Sequence, residues 1–182
     1  STQAKTLFPY TTLFRSRTKK LPLGNSVSAK QKQAKGIEMP YPSTQPISIT
    51  ADVTLNRNTH AGNLLNFAVA SGATVTLPAS AGTGDVYRFF VRTTITSNNA
   101  KIQVANSTDV IQGCVEIGAA GGVAGVVAGT TTTSDTITMN GTTTGGIIGS
   151  YVELTDALTG FWVLNGSLIA SGTVATPFSA AV

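Results

Sequence analysis

Charge is what this chain of 182 residues has least of: Lys, Arg, Asp and Glu make up 11% of it, against about 25% in an average soluble domain. Cysteine and histidine are scarcer still. With Cys114 alone, neither an intramolecular disulfide nor a cysteine zinc site can form. His60 is the single histidine, so any Ser/His or Cys/His nucleophile pair has one candidate base, and it sits in the polar turn Asn58-Thr-His-Ala-Gly62. No basic residue adjoins Cys114 to lower its pKa, and it reads as a small strand filler. Aromatic residues are 7% of the chain and Trp162 is the only tryptophan, thin material for an aromatic-lined saccharide cleft. The longest small apolar run, Ile117–Gly129, falls well short of the ~20 residues that span a bilayer. It also lacks GxGxxG spacing, and reads as a strand and loop packed closely against another backbone. The first residues lack the charged-then-apolar pattern of a leader, and no targeting or membrane segment is expected. Catalytic, cofactor and metal residues are therefore all predicted as none.

The net charge of +4 conceals a split. Residues 1–46 carry eight bases against Glu38, whereas residues 47–182 carry four bases against seven acids, +7 set against −3. A basic tail of this kind can bind nucleic acid or an anionic protein surface, or simply be a solvated extension; specific nucleic-acid binding is not expected. Within it, Thr6–Ser16 resembles the conceptual translation of a common sequencing adaptor, so that the genuine N-terminus is expected after Ser16, with Met39 the first candidate initiator. The seven body acids are dispersed singly, without the pairing that acid/base chemistry or a calcium loop requires. Asp52, Asp85, Asp109, Asp135 and Asp156 fall mostly at strand ends, where an Asx side chain is expected to bond its own backbone.

From Ile47 onward the pattern has period two. Ile47, Ile49 and Ala51 alternate with Ser48, Thr50 and Asp52; Tyr87, Phe89 and Val91 alternate with Arg88, Phe90 and Arg92. Similar runs lie at Val75–Leu77, Lys101–Val104, Ile111–Ile117, Ile137–Met139, Ile148–Leu154, Phe161–Asn165 and Ser167–Ala170, with Asn63–Ala70 fitting a strand or one helical turn. Gly-, Asn- and Asp-containing breaks separate them. About ten short strands with turns every 8–12 residues predict an all-β protein, an antiparallel β-sandwich or barrel of jelly-roll type. The organisation expected is a tail or extended arm over 1–46 and a β domain over 47–182, long enough to hold its own core. Tyr87, Phe89, Val91, Ile102, Val104, Ile111, Val115, Val152, Leu154, Phe161 and Val163 form the predicted core, because they are the consistent apolar faces of these runs.

Threonine takes the place of Lys and Glu over much of the body, as in Thr130–Thr133 and Thr142–Thr144. With a mean hydropathy of +0.17, such surfaces suit contact with another subunit. Closing β edges against sister copies is one remedy for the aggregation hazard they present, and a homotrimer is expected. The segment Gly36-Ile-Glu-Met-Pro-Tyr-Pro-Ser-Thr-Gln-Pro46 holds three prolines that favour an extended course. It also holds apolar side chains that a solvated linker does not need. Ile37, Met39, Tyr41, Pro42 and Pro46 are the candidate partner-binding residues.

The run Met139-Asn-Gly-Thr-Thr-Thr-Gly-Gly-Ile-Ile-Gly149, then Trp162–Gly166 and the ending Ser171–Phe178, resembles the C-terminal half of a group of tailed-phage virion proteins described as head decoration or capsid cement proteins. Gly72–Pro78 and Val86–Val91 resemble their earlier portion, so the likeness runs over about Ile47 to Phe178. What the resemblance implies is a non-enzymatic structural protein of the virion, bound to the major capsid protein on the capsid surface as an oligomer. The alternative is a tail-fibre or head-fibre tip that binds host glycans. The chain shows no repeat or shaft, which favours decoration.

Overall fold

The computed structural model describes residues 45–121 and 123–182. Ile37, Met39, Tyr41 and Pro42, together with the basic tail, lie outside the described residues. Pro46 is exposed immediately ahead of the first strand.

Twelve strands and one helical turn follow. They are β1 (Ile47–Ile49), β2 (Val53–Thr54), α1 (Arg57–His60), β3 (Leu64–Phe67), β4 (Thr74–Thr76), β5 (Val86–Val91), β6 (Ala100–Gln103), β7 (Val110–Ala119), β8 (Val123–Gly129), β9 (Thr136–Met139), β10 (Tyr151–Leu158), β11 (Phe161–Ala170) and β12 (Phe178–Ser179). A seven-stranded sheet in the order β1-β3-β5-β10-β11-β7-β8 packs on a five-stranded sheet in the order β12-β9-β6-β4-β2. This is the β-sandwich that the spacing of turns predicts.

The sheets are mixed rather than antiparallel. Five strand pairings are parallel and five antiparallel. One of the five is β7 beside β11, ten residues long. For the other four the cause lies in the path of the first six strands, which alternate strictly between the layers, so that β1, β3 and β5 run parallel in one sheet and β2, β4 and β6 in the other. Parallel neighbours need a crossover, and here the crossover is a strand of the opposite sheet. Period-two alternation is blind to this, since a half-buried strand carries the same pattern in either direction.

The core fills the space between the layers. Tyr87, Phe89, Val91, Ile102, Val104, Ile111, Val115, Val152 and Leu154 are all buried, as the alternation predicts. Phe67 lies against Phe89 with ring centroids 6.2 Å apart, and Tyr87 meets the edge of Trp162 at 5.7 Å, a geometry aromatic rings prefer. Burial, with Asp85 and Asp156 nearby and Arg57 opposing, pushes the Tyr87 phenol up to about 12.

On β11 the predicted face is the wrong one. Val163 is 43% exposed and Phe161 only partly covered, whereas Trp162 and Leu164 point inward. Phe161–Asn165 is apolar on both sides, so a short window cannot choose. Over the whole strand the choice is clear: Trp162, Leu164, Gly166, Leu168 and Ala170 carry no polar side chain, while the other face holds Asn165 and Ser167. A shift in register between Asp156 and Leu158, ahead of the Thr159-Gly160 turn, sets that phase.

The Gly/Thr run is an internal fastening. Asn140 Oδ1 accepts from the backbone N–H of Thr142 at 2.9 Å and of Thr144 at 3.1 Å, while Asn140 Nδ2 donates to Thr143 Oγ1 at 2.9 Å. Gly141 has a φ of +77°, and a Cβ there would collide with the Ile95 carbonyl oxygen. Only glycine suits both demands.

Candidate partner-binding surface

The body's excess of acid turns out to be inside. Buried Asp109 accepts the Ser80 N–H at 2.8 Å, and buried Asp135 accepts the N–H of Ala181 at 2.8 Å. Asp156, 3% exposed, accepts from the N–H groups of Ala81, Gly82 and Thr83 and from Thr83 Oγ1 at 2.7–3.1 Å. Burial alone would raise the Asp156 pKa, but the Thr83 hydroxyl and the three backbone donors outweigh it and hold the carboxyl below the ordinary 3.8. The local Asx bonding expected of these residues is thus replaced by long-range bonds that tie distant loops to the sandwich. Asn56, Asn106 and Asn140 make the local bonds instead.

With those three carboxylates internal, the outside of the β domain carries Asp52, Asp85, Glu116 and Glu153 against Arg57, Arg88, Arg92 and Lys101, four of each sign. Two pairs are closed, Arg57–Asp85 at 2.6 Å and Arg88–Glu153 at 2.8 Å. Such a balanced surface does little to keep copies apart.

The most structured part of this surface is the outward face of the seven-stranded sheet. The strand registers place Arg88, Glu153, Asn165 and Cys114 on one rung, and Phe90, Tyr151, Ser167, Glu116 and Val127 on the next. Glu153 Oε2 receives both Arg88 Nε and the Tyr151 hydroxyl, the latter at 3.0 Å. Burial and the bond to Glu153 raise the Tyr151 pKa, against the smaller opposing effect of Arg88. A shallow groove of about 370 Å³ runs over Cys114, Glu116, Tyr151, Glu153, Asn165 and Ser167. It shares Glu116 and Ser167 with a second depression of about 280 Å³ beside Val127. Exposed Val127, at 66%, adds apolar area on the Glu116 rung, and exposed Val163 adds it two rungs away, beside Gln112. Sequence reasoning missed this face. Arg88 and Glu153 are opposite charges on outward positions, a usable signal once β5 and β10 are known to pair.

The remaining candidates stand apart. His60 Nδ1 lies 2.9 Å from the Asn56 N–H and 3.1 Å from the Asn56 carbonyl oxygen, closing the turn of α1 in either tautomer. His60 leads into β3, four strands from the β7 that carries Cys114, about 19 Å at the usual strand spacing. Cys114 itself is exposed on the outward face rather than filling the core. Among the described residues, no three His, Cys, Asp or Glu side chains are grouped as metal ligands. No helix of the described residues is long and apolar enough to cross a membrane. Of the expected partner-binding residues, only Pro46 can be placed, at the β1 end of the seven-stranded sheet.

Comparison of the chain with family models, with curated proteins and with solved structures gives no match.

Proposed function

We propose that this chain is a non-enzymatic structural component of a tailed-phage virion, a head decoration protein that binds the major capsid protein and stabilises the outer capsid surface in association with copies of itself. The observation that supports the reading is the combination of a charge-balanced outer surface with an exposed, partly apolar sheet face. A protein that must lie against protein on more than one side has little use for a repelling charged coat. The likeness of Met139–Gly149 and Trp162–Gly166 to decoration proteins adds the setting.

Co-sedimentation of the full chain with shells of the major capsid protein from the same genome tests it. Saturable binding, with a rise in the temperature at which the shells break, is the expected result. Shells that neither bind the chain nor gain stability from it would remove the decoration role.

A second reading, a fibre tip that binds a host glycan, draws on the groove over Tyr151, Glu153, Asn165 and Ser167, where one aromatic ring adjoins several hydrogen-bonding groups. Binding to immobilised host polysaccharide that Tyr151→Ala abolishes, in a chain that ignores capsids, would favour it.

A further inference from the structure

We infer that the outer edge of β8 is a self-association edge, on which a second copy of this chain lays its own β8 antiparallel. The inference rests on the homotypic part of the proposed function and not on the capsid part.

β8 ends the seven-stranded sheet, and among the described residues only β7 pairs with it. Free edges are normally blunted by charge, by proline or by brevity. The seven residues Val123–Gly129, Val-Ala-Gly-Val-Val-Ala-Gly, show none of these devices. At its centre the strand also lacks cover on both faces. Val126, in register with buried Ile117 on the core-facing side, is 46% exposed, and Val127, beside Glu116 on the outward side, is 66% exposed. Bare faces next to a bare row of backbone donors and acceptors are the arrangement that strand addition uses.

The residue types point to a second β8 as the occupant. Paired antiparallel about Val126, the strand sets valine opposite glycine at both outer positions and again one step from the centre, alanine opposite alanine, and Val126 opposite itself. Large residues thus meet small ones, and no charge meets its like, as a two-fold contact requires. The other open edge of the same sheet, β1, offers three residues. Joining β8 to β1 head to tail would also continue the sheet along its twist axis as an open filament, whereas β8 against β8 closes at two copies.

Size sets the strength. A strand of this length runs about 23 Å, and edge-to-edge pairing through a sheet about 10 Å thick buries roughly 500 Å² in all. That is below the ~1,200 Å² of durable interfaces, so a single contact is reversible. The homotrimer expected from the sequence would have to close through other surfaces. Two such rings joined by three β8 contacts would bury roughly 1,500 Å² and hold firmly.

Sedimentation velocity of the full chain from low to high micromolar concentration tests this, with circular dichroism to confirm that each variant is folded. The wild type should reach a dimer, or a hexamer if rings form. Val127→Lys should raise the dissociation constant of that step about tenfold or more, because each pair then loses two apolar side chains from the contact and brings two ammonium groups to it, each drawn back toward Glu116 of its own copy. Val126→Lys, on the strand's other face, should act in the same direction, while Leu158→Lys, an equally exposed apolar site outside β8, should leave association unchanged. A wild type that stays monomeric or stops at trimer, or variants in which all three lysines act alike, would overturn the inference. Capsid binding is read separately: failure to bind shells with β8 association intact removes the decoration reading alone.

Discussion

The two halves of the sandwich are built on different plans. From Ile47 to Gln103 the chain winds between the layers in short strands of two to six residues, each coil laid parallel on the last. From Val110 to Ser179 it makes strands of up to ten residues, and the β7–β8 and β10–β11 neighbours are antiparallel. Short strands contribute little ladder each, so the first half depends on side-chain packing between layers and on loops anchored from elsewhere. One long-strand neighbour overhangs: Val126 of β8, in register with buried Ile117, is 46% exposed on the core-facing side. Both halves supply core, and the second half adds the open β8 edge.

The largest effects should come from the core that both halves share. Phe89→Ala, which removes a ring packed on Phe67, should lower the unfolding free energy by about 3–5 kcal/mol in a denaturant titration. Trp162→Ala should cost about as much, whereas Val163→Ala, one residue along on the outward face, should stay below about 1 kcal/mol. Equal losses at Trp162 and Val163 would show that β11 is not phased as described.

Next in size is the turn fastened by Asn140. Gly141→Ala should cost about 2–4 kcal/mol, combining a positive φ with a collision against the Ile95 carbonyl. A loss under about 0.5 kcal/mol, within the range of ordinary surface changes, would mean that the turn adapts and that its glycine answers to something other than the fold.

Asp156 links the halves directly, since it sits on β10 and holds the loop Ala81–Thr83 of the coil. Asp156→Ala should cost about 2 kcal/mol, the range for hydrogen bonds to a charged group. Its pKa is lower folded than unfolded. The stabilisation is therefore complete above the ordinary carboxylate value and is lost as pH falls through the lower, folded one. Unfolding measured between about pH 2 and 5 should show a wild-type decline that is shallower in Asp156→Asn. Parallel curves for the two proteins would show that the carboxylate gains nothing from the loop.

How much of this was legible in the sequence follows the same division. Alternation found the buried faces of β5, β6 and β10, because Arg88, then Lys101 and Gln103, then Glu153 mark the opposite side of each. It located β7 and β10, split β11 into two runs and buried its wrong face, and missed β2 and β12, which have two residues each and no period to read. It could not see that β3 and β5 run parallel, since direction is set by where the connection travels. Nor could composition reveal that Asp109, Asp135 and Asp156 are internal: a charge count is blind to burial, and the net −3 of the body described a surface that is in fact balanced. The outward rung of Arg88, Glu153 and Tyr151 needs the register of β5 against β10, a long-range fact that no local window contains.

The smallest effect sharpens the contrast between the two sides of a single sheet. Cys114 occupies the outward face of β7 beside inward-facing Val115, and it is exposed. A thiol reagent should therefore label it in the folded protein at the rate of an accessible cysteine, without prior unfolding. Because no packed side chain leans on it, Cys114→Ala should change the unfolding free energy by no more than about 0.5 kcal/mol. Val115→Ala, the next residue and wholly buried, should cost several times as much, about 1–3 kcal/mol for lost core volume. Slow labelling that speeds up only in denaturant would place Cys114 beneath something. Since no described residue covers it, the covering would have to come from residues 1–44 or from another copy of the chain, and the concentration dependence of labelling would tell those two apart.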